Sequence, residues 1–150
     1  MPNSYTSLHY HVVFSTKRRA PQLTPEIRER LIAYVGGIIR AERGVLLAGS
    51  AMPDHVHLLM TLHPQTCVSD VMRVVKTNSS KWVHETFTGS AGFGWQDGYA
   101  AFSVSASNVE SVKDYIAEQE RHHAKMTFQE ELITFLDRHG VPYDERYIWK

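Results

Sequence analysis

Between Met52 and Leu62 the apolar residues Met52, Val56, Leu58, Met60 and Leu62 all fall on alternate positions. This pattern constrains the fold more than any other feature of the sequence. Successive side chains of a β-strand point to opposite faces, so the segment predicts a strand with one apolar face. His55 and His57 then project together from the other face. Two neighbouring imidazoles on a rigid strand can bind a divalent metal ion through their nitrogen lone pairs. The alternative is that both histidines simply lie on the polar face of a half-buried sheet.

A second group of polar side chains lies downstream of this strand. Ser107 and Glu110 have the spacing of a capping box, which predicts that a helix starts there. On that helix Tyr115 and Gln119 are one turn apart and share a face. By itself Tyr115 would be an ordinary amphipathic residue with a buried ring and an exposed hydroxyl. Combined with the histidine pair, the two side chains supply a nucleophile and a third neutral metal ligand, which indicates phosphoryl transfer.

The order of predicted elements is strand, helix, strand, strand, helix, strand and then further helices. The predicted strands are 5–15, 45–51, 52–62 and 99–105, and the predicted helices are 24–44, 68–87, 107–119 and one opened by Thr127 and Glu130. This βαββαβ order predicts an α+β fold with a ferredoxin-like antiparallel sheet and two helices on one face. The Tyr115 helix must then cover or cross the face that carries the two histidines.

Size and cysteine content limit the class of protein. A chain of 150 residues with 43% hydrophobic residues suits a single domain over residues 1–150. The single Cys67 excludes an internal disulfide and is typical of a reducing cytoplasm. The first residues have neither a basic region nor an apolar run, so we expect no signal peptide. No stretch approaches the roughly 20 apolar residues of a membrane span.

The overall charge gives no sign of nucleic-acid binding, because 16 basic residues balance 16 acidic ones. Local clusters of basic residues do indicate nucleic-acid binding, since each could contact a phosphate backbone. The predicted DNA-contacting residues are Lys17, Arg18, Arg19, Lys76, Asn78 and Lys81. A further cluster, His122, His123 and Lys125, extends the face beyond Gln119. Three clusters beside a phosphoryl-transfer site predict a small DNA footprint with salt-sensitive affinity.

Several motifs together resemble those of a known family. They are the segment 10–19 (YHVVFSTKRR), the segment 52–57 (MPDHVH), 95–99 (WQDGY), 115–123 (YIAEQERHH), 128–131 (FQEE) and 143–147 (YDERY). In this combination the chain resembles the single-tyrosine HUH transposases of bacterial insertion sequences, including their REP-associated relatives. Two histidines around a bulky apolar residue, here Val56, give that family its name.

The resemblance implies an activity and the residues that carry it. Tyr115 corresponds to the tyrosine that attacks single-stranded DNA and forms a 5′-phosphotyrosine link with a free 3′-hydroxyl. Residues matching His55, His57 and Gln119 hold a divalent metal, for which Mg²⁺ or Mn²⁺ is expected. Because one tyrosine makes one cut, a homodimer is expected, with sites formed within one subunit or between two. The resemblance also implies DNA hairpins as partners and a bacterial or archaeal cytoplasm as the location.

Two other functions fit the same residues. A metal phosphodiesterase would use water in place of Tyr115, and a non-catalytic or domesticated relative would only bind nucleic acid, for example by stacking bases on its sheet. A second histidine pair, His9 and His11, lies on the first predicted strand without a further ligand in its motif. We interpret it as a pair on the sheet face that contacts DNA or supports the metal ligands from behind.

Overall fold

The computed structural model describes residues 4–149, in which four antiparallel strands form one sheet. The strands are β1 (His9–Ser15), β2 (Gly44–Ala51), β3 (His55–Leu62) and β4 (Ala100–Val104), in the order β2-β3-β1-β4. The helices are α1 (Pro25–Ala41), α2 (Val68–Thr86), α3 (Val109–Ala117), α4 (Gln119–His123) and α5 (Phe128–Arg138). The predicted α+β fold with a ferredoxin-like sheet is confirmed. Both strands at the centre of the sheet, β1 and β3, carry histidines.

The first layer of the core lies between the sheet and helices α1 and α2. Alternate residues of β3, among them Val56, Leu58 and Met60, are fully buried there, as the sequence pattern predicts. Their partners on β1 face the same way, since Val12 pairs with Leu58 and Phe14 with Val56. Burial of this apolar surface holds the two helices on the sheet. It also fixes the register that turns the histidines to the opposite face.

Helix α1 begins as predicted but ends earlier. The Thr24 hydroxyl accepts a hydrogen bond from the Ile27 amide at 3.4 Å, and Pro25 occupies the first turn. The predicted end at Gly44 is wrong, because the helix stops at Ala41 and Arg43 adopts the left-handed conformation with φ of 68°. Gly44 instead begins β2, where a side chain would collide with neighbouring atoms.

The Tyr115 helix differs from the prediction at both ends. Ser107 lies in a short 3₁₀ turn, α3 starts at Val109, and no side chain caps it, so the predicted capping box is wrong. The Ser107 hydroxyl bonds instead to the Ser105 hydroxyl, which competes with capping. The helix also breaks at Glu118, whose ψ is 23°, so Gln119 starts a separate helix, α4.

The second layer covers the histidine-bearing face and is built by α3, which packs on β2 and β3 as predicted for the Tyr115 helix, by α5 and by the C-terminal segment. Thr127 caps α5 by accepting a hydrogen bond from the Glu130 amide at 3.2 Å, as predicted. Its apolar residues pack with strand residues in a second cluster, formed by Val13, Phe102, Phe128, Leu132 and Leu136. Ile148 and Trp149 of the C-terminal segment pack against this cluster. Within residues 4–149 no helix has the length and apolar character needed to cross a membrane.

Candidate metal centre and active site

His55 begins strand β3 and is oriented by the residue before it. Its ring is 1% exposed, and Nδ1 lies 2.7 Å from Oδ1 of Asp54. Burial raises the pKa of Asp54, but the hydrogen bond and the charge interaction with His55, together with smaller contributions, lower it overall, so the carboxylate accepts and Nδ1 donates. With Nδ1 as donor, Nε2 of a neutral ring carries a lone pair, and that atom is buried without a hydrogen-bond partner in the described part of the chain. A carboxylate behind a histidine whose other nitrogen is free is the usual arrangement of a metal ligand.

His57, two residues along the same face, is completely buried between two partners. Its Nε2 lies 2.9 Å from Oε1 of Glu131, and its Nδ1 lies 2.9 Å from Nε2 of His11. Burial lowers the pKa of His57 despite the neighbouring carboxylate, so the ring is neutral. A neutral ring that donates from Nε2 to a carboxylate must accept at Nδ1, so His11 donates to it. Burial likewise lowers the pKa of His11, to about 3.

His11 thus supports His57 from behind, which agrees with one of the two roles predicted for the second histidine pair. Its partner in that pair, His9, lies at the other end of β1, opposite Thr61 and Val104. The Nδ1 atom of His9 is buried and has no hydrogen-bond partner. The two histidines of the first strand therefore have separate surroundings.

Glu131 of helix α5 lies at the centre of the cluster, with its side chain 1% exposed. Its Oε1 accepts hydrogen bonds from His57 and, at 3.1 Å, from Nε2 of His123. Its Oε2 accepts a hydrogen bond from the Tyr115 hydroxyl. Burial raises the pKa of Glu131, but the hydrogen bonds from both histidines and the phenol hold it far below its usual range. The same contact raises the pKa of His123 against the effect of burial.

Four side chains therefore offer potential ligand atoms in one small volume. One nitrogen or oxygen atom from each of His55, His57, His123 and Glu131 lies within 4.8 Å of the others. Imidazole nitrogens with a carboxylate oxygen form a donor set that suits Mn²⁺ and similar ions. The unpartnered Nε2 of His55, 3.7 Å from Oε1 of Glu131, indicates that the set is incomplete without a cation. The residues therefore fit a metal ion.

Tyr115, on α3, lies at the edge of this cluster. Its ring is 6.0 Å from that of His57 and stacks on that of His122 at 4.4 Å. Burial, followed by the Glu131 carboxylate, raises the pKa of Tyr115 well above its usual range. The phenol is therefore protonated in this arrangement.

Gln119 is buried beside Tyr115 even though the helix breaks between them. Its amide nitrogen donates to the Tyr115 carbonyl at 3.4 Å, and its Oε1 is buried with no hydrogen-bond partner among the described residues. The structure thus brings Tyr115, His55, His57 and Gln119 to one region of a single chain. A free amide oxygen is a suitable hard ligand for a divalent ion.

Two members of the cluster were not predicted as metal ligands: Glu131 was assigned no role, and His123 was placed in a basic cluster for phosphate contact but bonds to Glu131 instead. A signal existed for Glu131, since it lies three residues after Phe128 and four before Phe135 on the apolar stripe of α5. A carboxylate on such a stripe requires a buried partner. No comparable signal marked His123 as a ligand, and it lies at the end of α4, the separate helix that follows the break at Glu118.

The residues predicted to contact DNA have different surroundings. Lys17 and Arg18 are exposed, whereas Arg19 donates to the Trp149 carbonyl at 3.1 Å and lies over the Trp149 ring. Arg18 and Arg19 both adopt left-handed backbone conformations, with φ of 57° and 55°.

The second predicted cluster lies on helix α2. Lys76 donates to the carbonyls of Gln96 and Gly98, at 2.5 and 2.6 Å, which occupies its ammonium group. Asn78 and Lys81 are exposed, and Lys81 lies 3.9 Å from Glu85. In this second cluster, therefore, Asn78 and Lys81 present their side chains to solvent, whereas Lys76 does so only in part.

Comparisons with known proteins agree with this architecture. The ISDra2 transposase TnpA of Deinococcus radiodurans is 26% identical over 117 residues, which span 75% of this chain and 84% of that protein. The transposase for insertion sequence element IS200 of Salmonella typhimurium is 28% identical over 116 residues, which span 73% of this chain and 75% of that protein.

Solved structures extend the likeness to the fold. A Deinococcus radiodurans R1 protein assigned as a transposase superimposes with a TM-score of 0.64 at 27% identity, covering 78% of this chain and 95% of that one. A REP-associated tyrosine transposase bound to a REP hairpin gives a TM-score of 0.61 at 18% identity, over 83% and 76% of the chains. Residues 4–119, well over half of the chain, match the family described as "Transposase IS200 like". The chain therefore belongs to the IS200-like transposase family.

Proposed function

We propose that this transposase cuts and rejoins single-stranded DNA through a covalent 5′-phosphotyrosine intermediate formed on Tyr115. The observation that supports the proposal most directly is the hydrogen bond from the Tyr115 hydroxyl to Glu131. It joins the phenol to the same carboxylate that contacts His57 and His123. A candidate nucleophile and a set of metal-binding side chains are thus adjacent in one chain.

The proposed cofactor is a divalent ion, Mg²⁺ or Mn²⁺. Its proposed ligands are His55, His57 and Gln119, with Glu131 and His123 as further donors in the described structure. When bound, such an ion polarises a phosphate oxygen and orients the leaving group. The imidazoles favour Mn²⁺ at least as much as Mg²⁺.

In the proposed reaction the Tyr115 oxygen forms a bond to phosphorus, and the bond from phosphorus to the 3′-oxygen breaks. The phenol loses a proton and the departing 3′-oxygen gains one, so charge and atoms balance. Because the phosphotyrosine retains the energy of the phosphodiester, a 3′-hydroxyl from another strand can reverse the step without ATP. This accounts for both cutting and rejoining at one site.

The contact with Glu131 also determines where the phenol proton resides. The pKa of Tyr115 is raised and that of Glu131 is far below its usual range, so the proton stays on the phenol. We infer that Glu131 orients the phenol in the resting site.

The proposal includes two partners. Single-stranded DNA with hairpins would be the substrate, consistent with the REP hairpin bound by the structural relative described above. A homodimer would supply two tyrosines for two cuts. We propose that each chain is a single domain over residues 1–150 and that each site is formed within one chain. Sedimentation of the free and hairpin-bound protein tests the dimer.

The decisive experiment incubates the protein with hairpin-bearing single strands and Mn²⁺, followed by a denaturing gel. We expect a slowly migrating protein–DNA adduct that is absent in Tyr115→Phe, with Tyr10→Phe as the matched control. Cleavage that persists in Tyr115→Phe without an adduct would instead support a phosphodiesterase using water. Binding without cleavage, unchanged by chelators and by His55→Ala, would support a non-catalytic DNA-binding protein.

A further inference from the structure

A cavity of about 360 Å³ opens beside the Tyr115 hydroxyl. We call it the phenol pocket, and its polar lining consists of Tyr115, His122, Lys125, Glu131, Thr134 and Arg138. Its volume lies within the range of roughly 300–1,000 Å³ typical of ligand sites. Apart from Tyr115, all of these residues lie beyond the segment 4–119 that matches the family. The pocket is therefore a feature of the C-terminal part of this chain.

The charges at the pocket suit an anion. Within residues 4–149 neither Lys125 nor Arg138 forms a salt bridge, and both are exposed at the rim. Two cations that form no salt bridge in the described part of the chain, beside the half-buried Tyr115 phenol, attract a negatively charged group to that position.

One wall of the pocket also offers a hydrogen-bonding group. His122 stacks on the Tyr115 ring, with an angle of 26° between the planes. Its Nε2 atom is buried and has no hydrogen-bond partner among residues 4–149. Buried polar atoms are normally paired, so an unpaired one in a cavity wall points to a ligand. The ionised Glu131 carboxylate in the pocket lining offsets one of the two positive charges, so the lining formed by Lys125, Arg138 and Glu131 keeps a net positive charge.

We propose that the phenol pocket binds the backbone of the DNA strand next to the scissile linkage, with Lys125 and Arg138 contacting phosphate oxygens. His122 supplies a hydrogen-bonding group from the wall. The inference rests on the proposed function, since a strand attacked by Tyr115 must pass this rim. It assigns binding of the substrate strand to the segment 122–138 rather than to the sheet alone.

The test measures how affinity for a labelled single-stranded oligonucleotide depends on salt, without added divalent ions. Each phosphate neutralised on a single strand contributes about 0.7 to the slope of log K against log salt. We expect Lys125→Gln and Arg138→Gln each to reduce the slope by about 0.7, and Arg138→Lys to retain it. The matched control is Arg40→Gln, which removes an exposed charge from α1 on the other face of the sheet. Thermal melting verifies that all variants are folded.

Slopes that stay at the wild-type value in both glutamine variants would overturn the proposal, as would an equal loss in Arg40→Gln. A second arm adds inorganic phosphate at constant ionic strength. Displacement of the oligonucleotide by phosphate alone, with unchanged slopes, would mean a site for free phosphate and would also overturn it. The adduct gel separates this inference from the proposed function. Unchanged slopes with a normal adduct contradict only the pocket, whereas changed slopes without any adduct contradict only the Tyr115 chemistry.

Discussion

The Tyr115 hydroxyl donates a hydrogen bond to Oε2 of Glu131, which joins helix α3 to helix α5 across the face of the sheet. Sixteen residues separate the two side chains in sequence. Glu131 also accepts hydrogen bonds from His57 and His123, so one carboxylate connects a strand and three helices. This contact positions the phenol beside the candidate metal ligands within a single chain. The site thus depends on α5 as much as on the histidine strand.

Substitution of Glu131 tests this central role. Glu131→Gln replaces one acceptor oxygen by an amide donor that faces donors from Tyr115 or the histidines. Leaving such buried groups unpaired costs roughly 1–3 kcal/mol, so we expect the free energy of unfolding in urea to fall by about that amount. Glu130→Gln, one residue earlier and exposed, is expected to change it by less than about 0.5 kcal/mol. Equal effects of the two substitutions would contradict a structural role for the buried carboxylate.

Metal binding should stabilise the folded chain. If the cluster holds Mn²⁺, a free Mn²⁺ concentration 100 times the dissociation constant adds about 2.7 kcal/mol to the free energy of unfolding. The chelator EDTA should remove this stabilisation. Thermal melting with and without Mn²⁺ measures the shift. We expect His55→Ala to abolish most of the shift, because its free Nε2 lone pair is lost. His9→Ala, on the same face of the sheet but away from the cluster, should retain it, and a loss in both variants would rule out this site.

Lys76 and Lys81 were both predicted to contact DNA, but they should behave differently. Lys76 holds the carbonyls of Gln96 and Gly98, so Lys76→Met is expected to destabilise the fold by about 1 kcal/mol. Lys81 is exposed, so Lys81→Met should leave the free energy of unfolding within about 0.5 kcal/mol. If Lys81 contacts phosphate, its loss lowers the salt dependence of DNA binding. Similar unfolding free energies for the two variants would show that the contacts of Lys76 contribute little.

We expect substitution by alanine to have opposite effects on the free energy of unfolding at two glycines. A Cβ on Gly44 would lie 2.8 Å from both the Thr61 carbonyl and Leu62, so Gly44→Ala should cost about 1–3 kcal/mol through crowding. Gly37 lies inside α1, and a Cβ there would have no described atom within 4 Å. Gly37→Ala should therefore raise the free energy of unfolding by about 0.5–1 kcal/mol. Urea unfolding measures both. A destabilising Gly37→Ala would mean that this glycine serves contacts outside the described chain.

Local patterns in the sequence were enough to predict the sheet and its two faces. Alternation in β3 depends only on the two-residue period of a strand, so it predicted which side chains enter the core and which carry the histidines. Thr127 with Glu130 predicted the start of α5 because a capping box uses neighbouring residues alone. The same spacing at Ser107 and Glu110 failed, since Ser107 bonds to Ser105 and the chain forms a 3₁₀ turn.

The sequence by itself determined the α+β fold, the orientation of His55 and His57, and the family, because each of these follows from short-range periodicity or from local motifs. Only the tertiary structure decided that Glu131 and His123 join the histidine pair. It also decided that Gln119 stays beside Tyr115 despite the helix break between them. Their convergence depends on how α4 and α5 pack across the sheet, and contacts between residues distant in sequence leave no local pattern from which such packing could be read.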